Sequence, residues 1–385
     1  MIYMKSHHTI KKIIVIAVID LILFTSLFGL FTSPTKADEP GRISLLSETL
    51  PSNRFITSAV WDGENAYIFG GVSDQNGSYP EFAVVLDEIV RFNPKTKKIK
   101  IMNATLSKPR ASTSAVWSGK YAYILGGELM DEMGRQLFDE VIMYEIETDR
   151  SWNVTFMNLP MENYGASAVY DGQNVFIFGG SGFSPQDQIV QFNTSIYYAV
   201  HLDVTLPADI TRSSAVWDGE SVYIFGGSGS DEDYDYKQIL RFTPYENTVE
   251  VMKTKLPGSR IRTSAVWDGQ YAYVFGGSYW ENEEWKYSDE ILRYDPKEDK
   301  LTIMPERLPS GREGTSAVWT GNATYIFGGF VGNNILSDEI VEYIHPKEGD
   351  SDDSSEDNRL LIGVGIAAIF LIAISVFIYF RKIRS

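Results

Sequence analysis

The chain has 385 residues, a formal net charge of −17 and no cysteine. The acid excess excludes a phosphate-reading nucleic-acid surface, which needs a basic face. The lack of cysteine excludes disulfides, thiolate metal sites and cysteine nucleophiles. The four histidines are His7, His8, His201 and His345. The first pair precedes the N-terminal apolar run and His345 follows the last repeat, so neither a histidine triad nor a multi-histidine metal site is expected, and no cofactor.

The first predicted element is the apolar stretch Ile13–Phe31, behind Lys5, Lys11 and Lys12 and ahead of the small-residue site Thr35-Lys36-Ala37. Residues 1–37 read as a secretory signal; the length of the stretch and Asp20 leave an uncleaved anchor as the alternative. Arg42–Ser47, followed by Leu50-Pro51 and Arg54, has the pattern of an outer strand placed ahead of its sheet.

A repeat then dominates. Gly-Gly pairs close an apolar strand six times, at Gly70, Gly126, Gly179, Gly226, Gly276 and Gly328, at intervals of 56, 53, 47, 50 and 52 residues. Each pair ends a predicted hairpin of the type SAVWDGENAYIFGG (Ser58–Gly71), and Asp-Gly in four of the six supplies the positive φ that such turns need. A loop of variable length follows, then a third strand carrying Phe92, Tyr144, Phe192, Phe242, Tyr294 or Tyr343 in register. A fourth strand follows, often running into a Leu-Pro step and then an arginine: Arg110, Arg212, Arg260 or Arg312. Four strands in each of six units predict an all-β, six-bladed propeller over residues 41–346. The last unit lacks its fourth strand, which the N-terminal strand replaces, closing the ring and removing its open edges.

Residues 347–359 are acidic and polar and read as a solvated stalk. Residues 360–380, uncharged over Leu360–Phe380, span roughly 30 Å as a helix and predict a transmembrane segment. The basic tail 381–385 predicts a cytoplasmic C-terminus, hence a single-pass protein of the cell membrane with its propeller outside.

The arginine after a proline step, the hydrophobic hairpin, the Gly-Gly pair and the aromatic of the third strand resemble the kelch repeat, over residues 42 to about 346. The resemblance implies a kelch-type propeller. Two features depart from the pattern. Tryptophan ends the first strand (Trp61, Trp117, Trp217, Trp267, Trp319) instead of standing in the fourth, where only Trp152 fits, and the third unit has Met161-Glu-Asn-Tyr164 in place of the arginine.

The Gly-Gly pairs are expected to be structural, the first-strand tryptophans to form blade-to-blade core, and the Asp-Glu steps at 87–88, 289–290 and 338–339 to serve strand-edge hydrogen bonding. Strand alternation places the post-Gly-Gly loops and the arginine loops on one face around the central channel, where function concentrates. Ligand contacts are expected there from Arg54, Arg110, Arg212, Arg262 and Arg312, together with Tyr279, Trp280, Trp285 and Tyr287, because arginine forks bind carboxylates and exposed aromatics anchor interfaces. The competing reading has the arginines pairing with acidic loops. Asp231–Asp235 spaces three aspartates two apart but lacks the rest of a calcium loop, so it reads as solvated and no metal is expected. Asn76, Asn103, Asn153, Asn193 and Asn322 head Asn-x-Ser/Thr sequons and are candidate glycan sites.

The functional expectation is a surface-displayed binding module for an extracellular protein or glycan, without catalysis. Two alternatives stand beside it: a carbohydrate-active enzyme resembling sialic-acid mutarotases, and a purely architectural envelope protein. Sugar oxidase chemistry, which the resemblance would tie to copper-binding histidines and a cysteine-crosslinked tyrosine, is excluded by composition.

Overall fold

The computed structural model describes residues 39–74, 83–132, 134–182 and 186–347. The expected leader, the stalk from residue 348 onward, the expected membrane span and the basic tail lie outside these residues. Among the described residues no helix is long and apolar enough to cross a membrane.

Gly41–His345 forms one unit. It contains six four-stranded antiparallel sheets, each a blade; in blades 1 to 5 the strands run in sequence order from the channel outward. Blade 1 is Ser58–Trp61, Ala66–Phe69, Glu88–Asn93 and Lys98–Thr105. The innermost strands of blades 2 to 6 are Ser114–Trp117, Ser167–Tyr170, Ser214–Trp217, Ser264–Trp267 and Ser316–Trp319. In blade 6 the outer strand is Arg42–Leu45, paired antiparallel with Ile340–Ile344, Ile43 opposite Tyr343. Leu50 N–H donates to the Asp338 carbonyl at 2.8 Å, as Leu106 does to Asp87 in blade 1, so the N-terminal segment takes the place of the missing fourth strand.

Alternation decides what each strand buries. The second strands are apolar on both sides and fully buried, as expected of strands with blades on both faces. Six apolar clusters result, each straddling two neighbouring blades. At their centres the aromatic of one blade's second strand meets that of the next blade's third strand, as in Tyr123–Phe192 (5.4 Å) and Tyr223–Tyr294 (5.6 Å). Such tilted pairs contribute about 0.5–1.5 kcal/mol beyond the area they bury.

The Gly-Gly pairs are blade-to-blade fasteners. The second glycine donates its N–H to a carbonyl just before the next blade: Gly71 to Arg110 (3.0 Å), Gly227 to Arg260 (2.7 Å), Gly329 to Arg54 (2.9 Å). A Cβ on the first glycine would lie 2.2 Å from that carbonyl oxygen at Gly70 and 2.3 Å at Gly328, so no other residue fits.

Two expectations need refinement. The tryptophans that end the innermost strands pack one side on the inter-blade clusters but remain half-buried. Trp61, Trp117, Trp267 and Trp319, with Tyr170, also line a channel cavity of about 280 Å³. Three of the post-Gly-Gly segments are hairpins: Val72–Asp74 with Ala83–Val85, Glu128–Asp131 with Gly134–Leu137, and Ser278–Glu281 with Glu284–Tyr287.

Candidate functional site

Immediately before each innermost strand one residue adopts a left-handed backbone: Ile56, Ser112, Gly165, Arg212, Arg262 and Gly314, with φ between 52° and 65°. Each donates its N–H to the carbonyl of the preceding member, from Arg212 to Gly165 at 2.6 Å through Arg262 to Arg212 at 2.8 Å, and Ile56 N–H closes the circle on Gly314 at 2.7 Å. One layer below, hydroxyls bridge the same blades, as in Ser58–Thr113 (2.7 Å), Ser214–Thr263 (2.8 Å) and Thr57–Ser316 (2.8 Å). The channel mouth is thus a rigid ring. Two adjacent members of that ring, Arg212 and Arg262, carry cationic side chains.

The expected arginine set divides into two registers. Arg54, Arg110 and Arg312 stand two residues earlier, are 0% exposed, and hold a glutamate of their own blade: Glu88 at 2.9 Å, Glu140 at 2.7 Å and Glu339 at 2.6 Å. Arg260 pairs with Glu290 in the same way. A guanidinium with no exposed surface and a carboxylate partner has no face for a ligand, so ligand contact by Arg54, Arg110 and Arg312 is corrected to a structural role. The Asp-Glu steps divide accordingly: the aspartate carbonyl serves the strand edge and the glutamate holds the arginine. Blades 3 and 4 carry Asn163 and Ile210 at the arginine position, and there the glutamate is Gln188 or Gln238. Asn163 keeps one arginine function, donating from Nδ2 to the Gly179 carbonyl at 2.8 Å as Arg110 donates to Gly126.

Arg212 and Arg262 line a cavity of about 400 Å³ beside the ring, together with Phe55, Ile261, Trp285, Tyr287, Glu313 and Phe330. Arg262 is tied to Glu313 at 2.7 Å. Nearby, Glu128 is held by Arg135 and accepts the Ser112 hydroxyl at 2.8 Å. Arg212, half-buried, makes no side-chain hydrogen bond or ion pair among the described residues. Burial, then the positive charge of Arg262, hold its guanidinium below the usual arginine range, although Tyr164, Glu128 and Glu313 act against them. Three arginines face two carboxylates here, so one positive charge is left over on a strongly acidic chain, and an anion is what it attracts.

The aromatic wall comes from the hairpin Ser278–Tyr287, whose turn residues Asn282 and Glu283 both have positive φ, as a type I′ turn requires. Trp280 and Trp285 are cross-strand partners, edge to face at 5.4 Å and 59% and 48% exposed. Trp285 and Tyr287 line the cavity, and Tyr287 packs on Phe330 at 5.2 Å. The pleat puts Tyr279 on the opposite face of the hairpin, toward Gly258, so it does not join Trp285 and Tyr287 in lining this cavity. The structure therefore brings together Arg212, Arg262, Trp285 and Tyr287, with Trp280 at the edge, and adds Phe55, Glu313 and Phe330.

Of the candidate glycan sites, Asn322 is exposed in a hairpin turn. Asn103 bonds Asp149, Asn193 caps its own turn, Asn153 is half-buried, and Asn76 lies outside the described residues. In the aspartate-rich loop, Asp235 pairs with Lys255 at 2.9 Å and Asp231 accepts the Asp233 N–H.

A family model described as the KLHDC2/KLHL20/DRC7 kelch-repeats domain matches residues 112–329. The chain is similar to a kelch domain-containing protein of Archaeoglobus fulgidus, 32% identical over 166 residues, which cover 42% of this chain and 47% of that protein. It is also similar to a kelch repeat-containing protein of Dictyostelium discoideum, 27% identical over 142 residues, or 36% of this chain and 19% of that one. The chain thus spans less than half the length of each of these relatives.

Proposed function

The chain belongs to the kelch-repeat family, and on that premise we propose that it is a non-catalytic interaction module that grips an acidic group of a partner protein at the channel mouth. The observation that carries this reading is the Arg212 guanidinium, half-buried, without a carboxylate, and walled by Trp285 and Tyr287. An unpaired, partly desolvated cation costs stability in the free protein and is compensated when a carboxylate docks. The exposed indoles of Trp280 and Trp285 would supply the apolar anchor beside it.

The proposal extends to location. The uncharged run Leu360–Phe380 with its basic tail supports a membrane-held protein whose propeller faces outward. Limited proteolysis of intact cells tests this: the propeller is expected to be shaved from the outside.

The binding test uses the full-length protein in detergent against arrays of acidic peptides, their amidated counterparts and acidic glycans. Acidic peptides are expected to bind, and Arg212→Ala is expected to weaken them about tenfold or more without lowering the melting temperature. Equal binding by Arg212→Ala, or equal binding of amidated peptides, overturns the site. Glycan binding alone overturns the choice of a protein partner.

A further inference from the structure

The far end of the channel is built differently from the arginine mouth and carries a site independent of it. Each innermost strand starts just below the left-handed ring and ends at a hairpin turn on the other side of the propeller. All six read Ser-Ala-Val followed by an aromatic, tryptophan in five and Tyr170 in blade 3. Serine and valine are buried while alanine and the aromatic are half-buried, so alternation turns the latter two toward the lumen. Alanine leaves the lumen open, and the rings of Trp61, Trp117, Tyr170, Trp267 and Trp319 wall the cavity of about 280 Å³. Trp217 lines the groove between blades 3 and 4 instead.

What these walls offer selects a ligand class. Trp319 is stacked on His345 at 4.2 Å. Trp61, Trp117 and Trp267 make no ring contact and no side-chain hydrogen bond among the described residues. The other lining side chains are alanine and valine, and the single side-chain oxygen, the Tyr170 hydroxyl, already donates to the Gly172 carbonyl at 2.7 Å. A primary ammonium or a sugar brings several donors and finds no set of acceptor side chains here. A quaternary ammonium brings no donor at all and is attracted to the faces of indole rings.

Charge at the entrance agrees. The six hairpin turns just beyond the rings carry Asp62, Glu64, Asp171, Asp218, Glu220 and Asp268 against Lys120 alone. Asp62 is fixed by the backbone N–H groups of Glu64 (2.7 Å) and Asn65 (2.6 Å), and Asp171 and Asp218 are held in their turns in the same way. None of these three is in an ion pair among the described residues. This entrance is negative while the other holds Arg212 and Arg262, so the field along the channel draws a cation to the aromatic end. We propose that this aromatic-walled end of the channel binds a small free solute with a quaternary ammonium head. The cavity volume, near the lower limit for small-molecule sites, suits such a solute.

The test follows the indole N–H resonances of the full-length protein, held in a maltoside detergent, during titration with choline, its uncharged isostere 3,3-dimethylbutanol, lysine, glucose and a trimethyl-lysine peptide. Choline is expected to shift Trp61, Trp117, Trp267 and Trp319 saturably and to leave Trp280 and Trp285, on the opposite face, unmoved. Trp117→Leu/Trp267→Leu is expected to weaken choline about tenfold. Because those rings also pack on the inter-blade clusters, a second variant leaves the cavity intact. Asp62→Asn/Asp218→Asn keeps the acceptors of both turns and is expected to weaken choline about threefold at low salt. No saturable shift by about 50 mM choline, a shift confined to Trp280 and Trp285, an equal shift by the neutral isostere, or a shift that survives both variants overturns the proposal. Stronger binding of lysine or glucose overturns the ligand class, and a trimethyl-lysine peptide that outcompetes choline overturns the choice of a free solute.

Discussion

The Arg110 guanidinium lies 2.7 Å from the Glu140 carboxylate, fully buried at its own end and 23% exposed at the glutamate's. The pair is built into blade 2, and burial alone lowers the Arg110 pKa while Glu140 restrains the drop. Removing one partner strands the other, and Arg110→Ala is expected to cost about 3 kcal/mol. Arg110→Asn/Glu140→Gln, which copies blade 3, is expected to cost visibly less. Urea unfolding of the two variants checks the order, and equal losses would contradict it.

Arg212 is expected to behave in the opposite sense. Replacing an unpaired, half-buried cation that adjoins Arg262 relieves desolvation and repulsion. Arg212→Met is therefore expected to raise stability by about 0.5–2 kcal/mol while weakening acidic ligands. A destabilised Arg212→Met in thermal unfolding would mean that the side chain holds the ring together.

The glycines separate by surroundings. A Cβ at Gly226 would meet the Arg260 carbonyl oxygen at 2.2 Å, whereas at Gly63 nothing lies within 4 Å, although both have positive φ. Gly226→Ala is expected to cost about 3 kcal/mol or more, and Gly63→Ala about 1 kcal/mol from backbone strain alone. Denaturant midpoints of the two variants measure the difference.

His345 predicts a pH dependence. Burial, outweighing the hydrogen bond and charge of Asp268, lowers its pKa below the ordinary 6.5. The unfolded chain therefore takes up this proton at higher pH than the folded one. The stability this provides is complete above about pH 6.5 and is lost as pH falls from there through the folded value. Unfolding midpoints of the native protein and His345→Gln, measured between about pH 5 and 8, are expected to converge in acid. A constant difference would show that His345 does not titrate with folding.

Much of this was legible in the sequence because the repeat states each rule six times. The Gly-Gly pairs, the apolar second strand and the displaced outer strand at Arg42–Leu45 follow from alternation and packing. The arginine register was present only as a two-residue offset: Arg212 lies five residues after Pro207, whereas Arg54, Arg260 and Arg312 lie three residues after Pro51, Pro257 and Pro309. A correlation within the chain separates them: glutamate opens the third strand where the arginine is present, and glutamine where it is Asn163 or Ile210. The left-handed ring could not be read, since its positions hold Ile, Ser, Gly and Arg and share only a backbone state imposed by closure. The side of the hairpin on which Tyr279 falls depends on pairing Trp280 with Trp285, which a variable-length loop does not announce.

Closure by the N-terminal strand also governs when the fold can be completed. Ile43 is among the first propeller residues to leave the ribosome, and its partner Tyr343 comes 300 positions later. Until then blade 6 has a bare edge and every ring of bonds around the channel is open. The last contact to form is thus one of the most distant in sequence, which favours slow folding and a vulnerable open intermediate.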